Sequence, residues 1–254
     1  MPVKRTSIAI AFVATSIIIP AHAEMVASAS TNTAWQSSAA VGLTLSRGNS
    51  DTTLFSITIG TEKKWSMNDL TLGADAIYGD TRQSGASKST ETADAQHGAV
   101  QYNRLFSERF YAFGRVDLLH DAIANIQYRL TVAPGAGYYL IKRKATDLSV
   151  EAGPAYVAEK LGNHYENFAT LRVGERFHHA LSDHAKVWEA ADFLPQVDHF
   201  DNYVLTSEVG AEAGLNKGNT LSLRSVLQDA YDNIPALGRL KNDLKLIVSI
   251  AYKF

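Results

Sequence analysis

The sequence predicts an all-β chain folded as one up-and-down antiparallel transmembrane barrel of about 12 strands, within a range of about 10–14. Three observations carry the prediction. The chain ends in a strand that is apolar on one face only, it begins with an export segment, and alternating segments of membrane-crossing length fill the space between.

In the closing stretch, Leu244, Leu246, Val248, Ile250, Tyr252 and Phe254 share one face of an extended strand, while Lys245, Ser249 and Lys253 share the other with Ile247 and Ala251. Successive strand side chains point to opposite faces, so the strand is one-sided. In a soluble sheet such a tail would be an adhesive edge. A barrel closed in a membrane has no edge. Tyr252 and Phe254 are therefore expected to form a barrel-assembly signal, read by the outer-membrane assembly machinery.

The opening stretch has the three parts of a secretory signal: Lys4 and Arg5, an apolar run from Ile8 to Ile19, and Ala21-His22-Ala23. Cleavage is expected after Ala23. The run is shorter than the roughly 20 residues of a membrane-spanning helix. Residues 24–34, rich in Ala, Ser and Thr, are expected to be a mobile lead-in, and residues 35–254 the barrel. Without the signal the chain has 22 Lys and Arg against 26 Asp and Glu. This acidic balance argues against a nucleic-acid partner. The absence of cysteine excludes disulfides, thiol catalysis and thiolate metal sites. Mean hydropathy is −0.11. A helical membrane protein would be strongly positive, whereas alternation hides the apolar face of a barrel.

Alternating segments are expected at 35–47, 52–65, 69–81, 92–106, 110–120, 126–141, 147–159, 165–179, 185–197, 202–215, 219–231 and 241–254. About 12 residues at ~3.3 Å each, tilted ~45°, rise about 28 Å, enough for a ~25 Å apolar band. Strands of a soluble sandwich average about half that length. With both termini periplasmic, the even connections should be tight turns and the odd ones outer loops. The longest connections, Arg82 to Glu91 and Asp232 to Leu240, are both odd. Aromatic residues near strand ends, among them Trp35, Trp65, Tyr139, Tyr165 and Phe254, are candidates for the interface belts. Glycines inside strands, from Gly42 and Gly98 to Gly114, Gly137 and Gly210, are expected to be structural, the inward ones relieving crowding. Pro134 and Pro154 each remove a ladder donor, which predicts a bulge or a strand end at each.

Gly48-Asn49 with Thr52-Thr53, Tyr78-Gly79, Tyr128-Arg129-Leu130, Pro134-Gly135 with Gly137-Tyr138, Glu151-Ala152-Gly153-Pro154, Phe200-Asp201-Asn202-Tyr203 and the terminal Tyr252-Lys253-Phe254 occur in this order. In these motifs the chain resembles the salt-induced outer-membrane protein family, catalogued as domain of unknown function 481. The resemblance spans about residues 35–254. It implies an outer-membrane location and contact with outer-membrane lipid, and the family label suggests a tie to osmotic or salt stress. It brings no activity, cofactor or catalytic residue.

The face opposite the apolar one carries charges of both signs. Arg115, Asp117, Arg129, Glu151, Glu166, Arg172, Arg176, Glu208, Glu212, Arg224 and Lys245 are the candidate lumen-lining residues. Two readings follow. They line a narrow channel for ions or small solutes, or they pair with one another and fill a barrel that does not conduct. Twelve strands leave room for either. Adjacent His178 and His179 point to opposite faces and cannot share a metal. His97, His120, His164, His184 and His199 are expected near strand ends and loops, where His184 and His199 have Asp183, Asp198 and Asp201 close by. No metal-spaced cluster and no Gly-x-Ser-x-Gly elbow is present. No metal, cofactor or catalytic residue is therefore assigned. An envelope lipid-modifying hydrolase or acyltransferase is the least favoured reading.

Overall fold

A computed structural model describes residues 34–46, 50–83, 87–236 and 239–254. The signal segment, its cleavage site and all of the lead-in except Ala34 lie outside the described residues. The strands are β1 (Gln36–Ser46), β2 (Ser50–Trp65), β3 (Asn68–Gln83), β4 (Thr90–Leu105), β5 (Phe110–Asp121), β6 (Ile126–Lys142), β7 (Thr146–Leu161), β8 (His164–Ser182), β9 (Ala185–Pro195), β10 (Tyr203–Gly214), β11 (Leu221–Asp232) and β12 (Asn242–Lys253). Each pairs antiparallel with its chain neighbours, and β1 pairs with β12 to close the barrel. Every expected segment coincides with one strand.

The alternation explains why these segments are strands and which way they face. On β12, Leu244, Leu246, Val248, Ile250 and Tyr252 are exposed on the outer surface, whereas Asp243, Ser249 and Ala251 are buried inside. Val41 and Leu43 on β1, Phe55, Ile57 and Ile59 on β2, and Leu223 and Leu227 on β11 continue the exposed apolar surface around the barrel. A surface this apolar is stable facing lipid and not water.

An even strand count puts both termini and the even connections at one end, here the termini end. The odd connections share the other, the loop end. At the termini end, 66–67, 143–145 and 183–184 are tight, and 215–220 is the longest even link. At the loop end, 196–202 and 233–241 are the longest links. The two-residue link 162–163 is also at the loop end, where Gly162 takes a φ of 58° that a primed hairpin turn requires.

Four local expectations are corrected. Pro134 and Pro154 cause neither a bulge nor a strand end. The β6–β7 ladder stops at Val132↔Tyr156 and resumes in the same register at Ala136↔Ala152, so the two prolines occupy a gap without a shift, while the bulges of this pair lie elsewhere, at Ile126/Tyr128 and Tyr139/Ile141. Gly98 and Gly114 face outward: a Cβ on Gly114 would meet nothing within 4 Å, so neither relieves inner crowding. Tyr139 points inward against the Tyr111 ring, 5.3 Å between centroids, because it shares the inner face of β6 with Gly137. His97 lies in the middle of β4 and is buried inside, not at a strand end.

Phe254 closes the last seam. Its amide donates to the Ser37 carbonyl at 3.0 Å and its carbonyl accepts from the Ser37 amide at 3.3 Å. Its exposed ring stacks on Tyr252, 6.1 Å between centroids. Phe254→Ser keeps the backbone bonds and removes the ring from the membrane interface. The expected outcome is a marked fall in folded protein in the membrane fraction, read from the heat-dependent gel shift; unchanged folded levels would refute it.

Candidate functional site

The inner face holds the charges, and two neighbouring strands show why they pair. Directly opposed residues of an antiparallel pair point to the same face. Glu151 on β7 opposes Gly174 on β8, and the inward positions flanking that glycine are Arg172 and Arg176. The glycine leaves room for the Arg172 guanidinium and the Asp192 carboxylate, which a Cβ there would meet at 3.1 and 2.6 Å. Arg172 Nη1 donates to Glu151 Oε2 at 2.8 Å, and its Nη2 lies 2.7 Å from Asp192 Oδ1 on β9. Arg176 Nη2 donates to the other oxygen of Asp192 at 2.5 Å. Tyr111 OH and Gln101 Nε2 both donate to Glu151 Oε1, at 3.0 and 2.9 Å. Glu151, Arg172 and Asp192 are only 4%, 2% and 5% exposed.

The network continues around the waist. Arg115 grips Asp117 through Nε and Nη2, at 2.8 and 2.6 Å, and its Nη1 donates to Gln101. His97 bridges two acids, with Nδ1 3.2 Å from Asp75 and Nε2 3.5 Å from Asp117. Both ring nitrogens therefore face carboxylates and neither is turned toward a hydroxyl nucleophile. Beside this polar belt, Ile77, Ala93 and Ala95 pack with Leu54 and Ile247, carrying contacts from β4 to β12 through the interior.

Toward the termini end, Glu212 collects cations. Arg224 donates to its Oε2 from Nε and Nη2 at 3.1 and 2.9 Å, Lys253 Nζ is 2.6 Å from Oε1, and Lys186 Nζ is 3.7 Å from Oε2. Fully buried Glu208 accepts from Trp188 Nε1 at 2.6 Å and from Gln228 Nε2 at 3.0 Å. Trp188 is 1% exposed, and its ring covers Gly210 so closely that a Cβ there would lie 2.0 Å from Cζ2. Only glycine fits beneath the indole.

Toward the loop end, Arg129 of β6 pairs through Nε with Glu159, and its Nη2 is 3.5 Å from Asp232 of β11. In the ring of strands β6 and β11 are five apart, so this arginine crosses the lumen.

All eleven candidate lumen residues lie on inward positions of their strands. Arg115, Asp117, Glu151, Arg172 and Arg176 meet at the waist, Glu208, Glu212 and Arg224 toward the termini end, and Arg129 toward the loop end. Lys245 Nζ is buried and makes no hydrogen bond; the acids acting on it are Asp121, Asp243 and Asp75. Glu166 is a correction. It lies at the loop-end rim, its side chain 43% exposed beside His164, because β8 extends past the end of β9 there.

Residue parity alone could have found Glu159, on the same face as Glu151. Asp75, His97, Lys186, Trp188 and Asp192 carried no such signal. On β9 a tryptophan and two alanines share the two faces with Glu189 and Asp192, so hydrophobicity does not reveal which side is inner. His184 and His199 lie at opposite ends of the barrel. His199 Nδ1 is 3.5 Å from exposed Asp198, whose carboxyl is held below its usual range first by the Gln196 side-chain amide. Among the described residues no group of three or more His, Asp or Glu side chains is arranged to hold a metal ion.

The profile of the family described as "Protein of unknown function, DUF481" matches residues 39–254. The chain belongs to the DUF481 family. No curated protein matches it. Among solved structures, this DUF481 chain is similar to the NanC porin, at 7% identity and a TM-score of 0.49, over 87% of this chain and 99% of that one. It is similar to the KdgM porin in complex with disordered oligogalacturonate, at 8% identity and 0.46, over 86% and 99%. It is also similar to the translocator domain of autotransporter NalP from Neisseria meningitidis, at 16% identity and 0.43, over 87% of both chains.

Removing one partner of a buried pair strands the other charge, at a cost of about 3–5 kcal/mol. Arg172→Ala removes the arginine bonded to Glu151 and one of the two that hold Asp192. The variant is expected to lose stability of this size, measured as a lower denaturant midpoint in lipid or detergent. A change within about 0.5 kcal/mol, the range of a neutral surface substitution, would show that the cluster does not brace the waist.

Proposed function

We propose that this protein is an outer-membrane barrel whose lumen is closed at the waist, a structural or binding element of the cell envelope that does not conduct in this state. The observation that supports it is the Tyr111–Glu151–Arg172–Asp192–Arg176 network. Its charges pair with one another, and Glu151, Arg172 and Asp192 are buried, which leaves no run of unpaired charge to lead an ion through. An open channel lining would be hydrated and exposed.

The proposed setting completes the reading. An N-terminal signal cleaved after Ala23 would deliver the chain to the periplasm, and the assembly machinery would read Tyr252 and Phe254. Outer-membrane lipid would then cover the apolar outer face. A role in osmotic or salt stress is proposed from the family label and is tested by growth of a deletion strain across a salt range.

A narrow channel for ions or small solutes is the second reading, favoured by a 12-strand circumference wide enough for a small opening once the central side chains move aside. Planar-bilayer recording separates the two. Folded wild-type protein is expected to give no discrete steps, and the double variant Arg172→Ser with Trp188→Ala to give reproducible ones, provided that its gel shift shows a folded barrel. Discrete steps from the wild type, altered in size by Arg172→Ser alone, would replace the closed reading with the channel.

A further inference from the structure

Between the Arg129 crossing and the Arg172 network lies a chamber of about 100 Å³. Its floor is formed by the Arg115–Asp117 and Arg172–Asp192 pairs. Arg129 is one inward position nearer the loop end than Thr131, and it ties β6 to Glu159 and to Asp232 across the lumen, which makes it a strap over the chamber. We propose that this chamber binds a small, uncharged, largely apolar organic molecule that carries one hydroxyl or carbonyl group. The inference goes beyond the closed-waist reading and stands on the walls of the chamber.

Three features fix the ligand class. First, the walls are hydrocarbon: Leu119, Val157, Phe168, Leu194 and Val204 face the void. The neighbouring charged groups turn their polar atoms toward one another. Such walls favour a small, mostly apolar guest over water; an engineered cavity of about 150 Å³ elsewhere accepts benzene. Second, Thr131 and Thr206 line the chamber with hydroxyls that bond to no other group among the described residues, whereas the Thr170 hydroxyl is already spent on the Pro195 and Leu171 carbonyls. A guest can therefore exchange one or two hydrogen bonds there, which sets its orientation. Third, each arginine around the chamber is already matched by carboxylates. A charged guest would lose its hydration and gain no free counter-charge, which disfavours it. The volume suits a molecule of about the size of a single aromatic ring.

Arg129 then controls entry. The strap narrows the approach from the loop end, and the way in widens when it lets go of Asp232. Removing the strap should speed exchange without removing the walls.

The test uses the folded full-length barrel in lipid nanodiscs, with 4-fluorophenol as the probe, followed by fluorine NMR. The expected result is saturable line broadening that an excess of unlabelled phenol reverses. Val157→Phe, which fills the chamber, should weaken the effect at least tenfold. Thr206→Val should weaken it about 3- to 10-fold, the size of one lost hydrogen bond. Arg129→Ala should raise the exchange rate. 4-Fluorobenzoate should bind at least tenfold more weakly than 4-fluoroacetophenone, its uncharged counterpart of equal size. Broadening that excess phenol does not reverse means partition into lipid and overturns the proposal. Equal binding of the benzoate overturns the ligand class. The competition and the benzoate comparison need only the unmodified protein, so they decide the matter even where a filled variant does not fold. Conductance is read separately, so a barrel that conducts and still binds phenol would fail the closed-waist reading alone.

Discussion

A sheet closed on itself and wrapped in lipid has nowhere to send a charge but inward, and the rest of this structure follows from that. Every strand alternates, so half of its side chains enter a confined interior, where each ionised group must meet a partner or bear a large desolvation cost. The interior answers with carboxylates shared among several donors, cationic and neutral. Glu151 serves Arg172, Tyr111 and Gln101; Asp192 serves two arginines; Glu212 serves Arg224, Lys186 and Lys253. Sharing ties strands that are not neighbours, which stiffens the waist.

Glycine makes that density possible. Large inward side chains cannot all fit at one level of a small barrel, so Trp188 lies over Gly210 and Tyr111 over Gly137, where a Cβ would come within 2.0 and 2.2 Å of the rings. Small faces large across adjacent strands, the arrangement that fills narrow barrels with side chains. The Arg129–Arg172 chamber remains as a void at a level lined by Val, Thr, Leu and Phe168.

The architecture is legible in the sequence because the outer face repeats with period two and lipid requires it to be apolar. β12 shows this in its own residues, Leu244 through Tyr252. The inner face is legible only as parity. Arg172, Arg176 and Glu151 can be assigned to it, but that they meet Asp192 depends on the register of β8 with β9. β9 is nearly silent, since Ala190 and Ala191 give no contrast between its faces. Contacts through the lumen, such as Arg129 with Asp232, depend on closure of the ring, which no local pattern encodes. Glu166 obeys the parity and still escapes the lumen, because strand length sets the height of a residue and alternation does not.

Trp188 has one more consequence. The chain has three tryptophans; Trp35 and Trp65 lie at the termini-end rim, where Lys63 Nζ is 5.4 and 5.9 Å from their ring centroids. The third is enclosed at the centre, its indole N–H held by Glu208 and its face under the Arg224 guanidinium at 5.9 Å. The molecule therefore carries a native optical reporter inside the barrel, on the termini side of the Arg172 network. Its emission should be blue-shifted and shielded from aqueous quenchers while the interior is packed, and should redden as soon as water reaches the middle of the barrel.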